Sequence, residues 1–166
     1  MSRGINNAVL WFDEDIRELI GFYRGVFDDV ALLSPLADVA PAGGAPEIVS
    51  IEMHGRHCDI MSVSGKPGFT EGVSFVVSCA DQVEVDRYWF GLIADGGHES
   101  MCGWLKDQFG LSWQVVPTRL MELQANSEPA TRIRTVVRSL KASRFRYVRS
   151  PRCHSAAELT RFPRVS

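Results

Sequence analysis

The chain has 166 residues, 45% of them hydrophobic, enough for one compact domain or two small fused modules with a true core. No apolar run approaches the roughly 18 to 20 residues of a membrane span. The opening MSRGINNAVLWF has no long apolar core and no small-residue cleavage site, so neither a membrane span nor a signal peptide is expected.

The net charge of −2 conceals a split. Residues 1 to 118 carry 7 Lys/Arg against 17 Asp/Glu, and residues 119 to 166 carry 11 against 3. An acidic body with a basic tail follows. Cysteines at 58, 79, 102 and 153 form no CxxC pair and no disulfide spacing, so buried free thiols in a reducing cytoplasm are expected.

AVLWF (8–12) is a short run of β formers. DEDIRELIGFYRGVF follows with Ile16, Leu19, Ile20, Tyr23 and Phe27 at helical spacing, and Asp13 is the expected N-cap. VALLS (30–34) and EIVSIEMH (47–54) read as strands, Gly55-Arg56 as a tight turn, and HCDIMSV (57–63) as the returning strand. The order then repeats. VSFVVSC (73–79) is a strand. Asp81 caps a second helix, with Val85, Tyr88, Trp89 and Leu92 on one face and Gly96 or Gly97 as its stop. HESMCGWLK supplies one or two short strands, DQFG a turn built on Asp107 and Gly110, and LSWQVVP the last strand, ended by Pro117.

Strand–helix–three strands thus appears twice, at a period of about 65 residues. The expected fold is α+β: paired βαβββ modules forming a curved mixed sheet with outer helices. Modules at 1–66 and 67–118 are followed by a helical segment at 119–141 and a basic irregular tail at 142–166.

Three stretches carry a family resemblance. LWFDEDIRELIGFYRGVF, GVSFVVSCADQVEVDRYW and GWLKDQFGLSWQVVP resemble the PhnB-like branch of the vicinal oxygen chelate (glyoxalase/bleomycin-resistance/dioxygenase) superfamily. That branch is also labelled 3-demethylubiquinone-9 3-methyltransferase-like. The resemblance covers about residues 5 to 125, and it implies the paired βαβββ fold and a homodimer, without implying a known reaction. The chain has no glycine-rich strand–turn–helix loop of the kind a Rossmann-like cofactor site needs, so the methyltransferase label finds no support in its residues.

Glyoxalase-type relatives hold a divalent metal with His/Gln and Glu from four strands. Carried onto this chain, those positions fall near Asn7, near Ile60 or Ser62, at Ser74 and at Gln114. They offer at most neutral oxygens, from Asn7, Ser74 and Gln114, with no carboxylate or imidazole. Such a set binds a divalent cation poorly, so no metal and no cofactor are expected. His54, His57 and Cys58 have a spacing that suits a soft metal, but the two histidines flank a hairpin turn and are read as an exposed rim. His98-Glu99 is read the same way.

Strand parity places Ser112, Gln114 and Val116 in the cup and Trp113 and Val115 toward the helices. Ser74 and Val76 face in, Val73, Phe75 and Val77 face out, and Asn7, Val9 and Trp11 share a face. A cup edged by Trp11, Ser74, Trp104 and Gln114 suits a planar or amphipathic small molecule. It lacks an evident base, nucleophile or oxyanion clamp. Tyr23 and Tyr88 are read as packing residues with surface hydroxyls. Lys106-Asp107 could line the mouth, although an Asx turn explains Asp107.

After about Lys141 the family pattern ends. The tail is read as solvated, docked on the acidic body, or bound to nucleic acid or anionic lipid; a shifted reading frame would give the same composition. The acidic body weighs against nucleic acid. The leading expectation is metal-independent binding or sequestration of a small apolar or aromatic molecule. The alternatives are a metal-dependent lyase, isomerase or dioxygenase of the same superfamily, and a structural or regulatory dimer with a partner-binding tail.

Overall fold

β-branched and aromatic runs separated by two capped helices dictate the architecture. The structure, a computed structural model, describes residues 7–36, 46–65 and 68–126. The chain divides into two compact units, residues 1–68 and 69–166. It is an α+β fold whose strands form two four-stranded mixed sheets.

The first unit contains β1 (Ala8–Phe12), α1 (Ile16–Val26), β2 (Val30–Leu32), β3 (Glu47–Met53) and β4 (Arg56–Ser62). The sheet order is β1-β4-β3-β2, with β1 parallel to β4 and the other pairs antiparallel. Ile16, Leu19, Ile20, Tyr23 and Val26 give α1 one buried face, as the spacing predicts. The cap differs from expectation. Asp15, not Asp13, is the N-cap and accepts from Arg17 N at 2.7 Å. Asp13 instead accepts from Gly65 N at 3.1 Å, because the chain is still leaving β1 there. The hairpin turn is also shifted. His54 (φ 49°) and Gly55 (φ 72°) are its central residues, and Arg56 already belongs to β4. A two-residue hairpin loop favours positive φ at both positions because that twist matches the strands.

The second unit contains β5 (Ser74–Cys79), α2 (Gln82–Leu92), β6 (His98–Glu99), β7 (Trp104–Lys106), β8 (Ser112–Pro117) and α3 (Thr118–Asn126). Its sheet order, β5-β8-β7-β6, repeats the first topology, with β5 parallel to β8. Asp81 caps α2 by accepting from Glu84 N at 3.0 Å, while Glu84 reaches back to Ala80 N at 2.6 Å, a reciprocal pair close to a capping box. Val73 lies outside β5 and is exposed, so it does not face the helix. Pro117 belongs to β8, and α3 follows at once, with Thr118 Oγ1 donating to Cys79 O at 2.9 Å. Tyr23 and Tyr88 are buried, and Tyr23 has no surface at all, so its hydroxyl does not reach water.

Residues beyond Asn126, including Ile133, Val137, Leu140, Cys153 and the basic tail, lie outside the described residues. No helix among the described residues is long and apolar enough to cross a membrane.

Gly97 joins α2 to β6 at a point with no room for a side chain. A Cβ there would lie 2.6 Å from Ile93 Cα, 2.7 Å from Leu92 O and 2.8 Å from Lys106 O, all backbone atoms that cannot rotate away. Gly97→Ala should therefore destabilise the protein by about 2 to 3 kcal/mol, measured by urea unfolding. A second prediction concerns the buried thiols. Burial, aided by Asp59, pushes Cys58 up to about 11. Burial, aided by Glu84 and Asp81, pushes Cys79 up to about 12. The unfolded chain ionises these thiols first, from the ordinary value of 9.0. Their contribution to stability is thus intact below that pH and is lost as pH rises through the folded values. The wild type should lose stability over this range more steeply than the Cys58→Ala/Cys79→Ala variant in parallel unfolding titrations.

Candidate functional site

Strand alternation decides what each open sheet face carries. In the first module Leu10 and Phe12 of β1, and Cys58 and Ile60 of β4, are buried on the helix side. Asn7, Val9 and Trp11 take the opposite parity, with His57, Asp59 and Met61 of β4 and Ile48, Ser50 and Glu52 of β3. Register sorts this face into rows. Trp11, Met61 and Ile48 form an apolar row, Val9, Asp59 and Ser50 a mixed row, and His57 pairs with Glu52. Ser50 Oγ donates to Asp59 Oδ1 at 2.6 Å, and Asn7 Nδ2 lies 3.4 Å from both carboxylate oxygens. His57 Nε2 lies 2.7 Å from Glu52 Oε2.

Two expectations change here. Ile60 and Ser62, read as neighbours of the second metal position, lie on the helix side: Ile60 is fully buried and Ser62 Oγ donates to Glu14 O at 2.7 Å. The β4 group on the open face is instead Asp59, a carboxylate where none was expected. Alternation around buried Cys58 and Ile60 was the signal that could have found it. His54 and His57 are both exposed, as read from the turn, but they engage different partners. His54 Nδ1 lies 3.3 Å from Asp29 Oδ1 with its ring 5.6 Å from that of Phe27, while Cys58 is buried beneath the sheet.

The second module repeats the geometry with different chemistry. Val77, Cys79, Leu105, Trp113 and Val115 are buried on the helix side. The open face carries a row Ser74–Ser112–Lys106–His98 and a row Val76–Gln114–Trp104. Gln114 Nε2 donates to Ser74 Oγ at 2.8 Å. Ser74, Trp104 and Gln114 therefore share one face, as expected; Trp11 stands on the other module's sheet. A cleft of about 180 Å³ opens beside them, lined by Glu71, Ser100, Trp104, Leu105, Lys106 and Ser112. Lys106 Nζ lies 3.4 Å from Glu71 Oε1. Ser112 is 1% exposed, and its Oγ is buried with no hydrogen-bond partner. His98 and Glu99 are exposed, as read, and Glu99 also accepts from Trp89 Nε1 at 3.0 Å, tying β6 to α2.

The register makes the two modules comparable position by position. Ser74 stands opposite Ser112 as Asn7 precedes the Ala8–Cys58 pair opposite the His57 level, and the bonded partners are Gln114 and Asp59. Lys106, opposite Ser112, corresponds to Glu52, opposite His57. One scaffold position thus holds a neutral amide in one module and a carboxylate in the other.

Two local devices hold the cleft. The turn before β7 has positive φ at Cys102 (65°) and Gly103 (77°), closed by Trp104 N donating to Met101 O at 3.0 Å, and it sets the angle of Trp104. The turn after β7 is built on Asp107, which is 2% exposed. Its Oδ1 accepts from Phe109 N and Leu111 N, each at 3.0 Å, and its Oδ2 accepts from Trp113 Nε1 at 2.8 Å. Asp107 is a buried organiser of the turn and does not line the mouth; Lys106 does line the cleft.

A family profile described as 3-demethylubiquinone-9 3-methyltransferase matches residues 5–116. The chain belongs to this family. No curated protein matches it by sequence. Among solved structures it is similar to the PhnB protein of Bacillus cereus, which carries the same methyltransferase label: 24% identity over 68% of this chain and 98% of that one, TM-score 0.58. It is also similar to the fosfomycin resistance protein FosX of Mesorhizobium loti, at 16% identity over 76% and 100% of the two chains, TM-score 0.54. FosX of Listeria monocytogenes, solved with Mn(II) and sulfate, aligns at 16% identity over 69% and 92%, TM-score 0.51. These likenesses show a shared fold.

The family's name and the fold's metal can each be tested against the residues. The junctions leading into α1 and α2, Asp13–Asp15 and Ala80–Asp81, lack glycine, and α3 follows β8 with no loop between them, so none of the three forms a phosphate-cradling loop. In the second module the metal-type positions are neutral Ser74 and Gln114, bonded to each other. In the first, Asp59 is already engaged by Ser50 and Asn7. Among the described residues no group of three or more His, Cys, Asp or Glu could hold a metal ion. Within each module, these donors do not fit a divalent metal.

Replacing Asp107 by Ala should leave the Phe109 and Leu111 amides and the Trp113 indole without their acceptor. The expected loss is about 3 kcal/mol of unfolding free energy. A quenched, red-shifted tryptophan emission should accompany it.

Proposed function

We propose that this protein binds a small organic molecule on the open sheet face of its second module, without a metal. The observation that carries the reading is the cleft of about 180 Å³ lined by Trp104, with Ser112, whose buried hydroxyl has no partner, also in its lining. An aromatic wall with a few placed polar groups is the usual composition of a small-molecule site. A cavity of about 150 Å³ accommodates benzene, so this cleft suits a single ring with a small substituent. Gln114 and Ser74, bonded to each other on the same face, stand outside the lining of the cleft.

A metal-dependent reaction of the kind the superfamily hosts has narrower support. It rests on Asp59, the one anionic oxygen donor that β1 and β4 present on their open face. The third class, a dimer whose basic tail engages a partner, rests on residues outside those described.

Two measurements separate the readings. Elemental analysis of untagged protein should find substoichiometric metal, unchanged by Asp59→Ala or Gln114→Ala. Stoichiometric metal lost in either variant would replace the binding reading with the enzymatic one. In a thermal-shift screen, single-ring aromatics should raise Tm in the wild type and fail to do so in Trp104→Ala.

A further inference from the structure

We infer that the cleft of the second module selects ligands carrying a carboxylate, with Lys106 and Ser112 as the anion-holding end and Trp104 as the wall for a flat apolar body. This rests on the cleft being a binding site and adds the class of molecule it takes.

The argument starts from register. Lys106 and Ser112 stand directly opposite each other on β7 and β8, on the same face. Directly opposed side chains have Cβ atoms about 5 Å apart, so an ammonium and a hydroxyl there can meet one ligand group. The hydroxyl is the informative atom. Ser112 Oγ is buried without a partner, although a buried hydroxyl normally has one. Ser112 is one of the lining residues, and an oxyanion seated against it would accept the hydroxyl's proton.

Lys106 is held but replaceable. Its lysine side chain is 24% exposed, and its partner Glu71 is 73% exposed at 3.4 Å. An ion pair with so exposed a member is weak, and a carboxylate entering the cleft would take the place of Glu71. The position of the ring follows from Trp104, which is one residue from Leu105 in the same lining and opposite Gln114 on the neighbouring row. Offset stacking on the indole would leave the acid pointing along β7 toward Lys106. The corresponding level of the first module carries Glu52 and His57 instead, so that face lacks the fixed cation.

The test compares benzoate with benzamide, two probes of one shape that differ in charge. Binding is read by two-dimensional NMR of the four tryptophan indole N–H signals, assigned by single substitution, in the full chain. Benzoate should move the Trp104 signal and bind at least tenfold more tightly than benzamide. Lys106→Met should abolish the preference while leaving benzamide binding in place. Ser112→Ala should weaken benzoate several-fold yet leave Tm unchanged or raised, since it removes an unsatisfied buried hydroxyl. That combination is not expected of a merely structural serine.

Equal affinity for the two probes, or a preference that survives Lys106→Met, would overturn the carboxylate assignment and leave the cleft standing as a neutral aromatic site. If neither probe moves the Trp104 signal, the binding reading fails with it. A Lys106→Met variant that does not fold is replaced by Lys106→Gln, for which the same loss of preference is expected.

Discussion

The second module depends on one buried carboxylate. Asp107 accepts hydrogen bonds from the amides of Phe109 and Leu111 and from the indole of Trp113. A charge with almost no solvent contact is tolerated only when its lone pairs are satisfied in this way. The same contacts fix the turn between β7 and β8, pin Trp113 under the sheet and so determine the parity of both strands. Trp104, Lys106, Ser112 and Gln114 face the open side because Leu105, Trp113 and Val115 are held on the other. The cleft is a consequence of that constraint.

The two modules illustrate how a repeated scaffold separates fold from chemistry. Strand order and the parallel pairing of first and last strands are the same in both sheets. The side chains on their open faces are not. One carries Asp59 bonded to Ser50 and Asn7, together with a His57–Glu52 pair. The other carries a Gln114–Ser74 pair beside a lysine and an unpartnered serine. Helix-side positions are constrained by packing, where one methylene matters; open-face positions are constrained only by what they bind. The likeness to PhnB and FosX proteins therefore establishes the fold, and the name of the family does not transfer a reaction.

Much of the architecture was legible in the chain. The spacing of Ile16, Leu19, Ile20 and Tyr23 specified α1, and that of Val85, Tyr88, Trp89 and Leu92 specified α2. The alternation in SWQVV correctly divided Gln114 from Trp113. Local competition was less legible. Asp13 and Asp15 are both competent caps, and only the path of the chain out of β1 selects Asp15. The turn at His54-Gly55 required a non-glycine residue to accept positive φ, which is uncommon although histidine tolerates it better than most. Asp59 was missed because the second metal-type position was placed near its neighbours, one residue out of phase on the strand, which reverses the face.

The sequence by itself determined the periodicities, hence the elements, their pairing into two βαβββ modules and the family. Those are properties of short windows, where a side chain's polarity and its place in a 2.0 or 3.6 repeat are enough. Only the tertiary structure decided which polar groups meet. Trp89 finds Glu99, Trp113 finds Asp107, Gln114 finds Ser74, and Ser112 finds nothing. Hydrogen bonds between side chains depend on distances of tenths of an ångström, whether the partners are 6, 10 or 40 residues apart, and side-chain periodicity does not encode them.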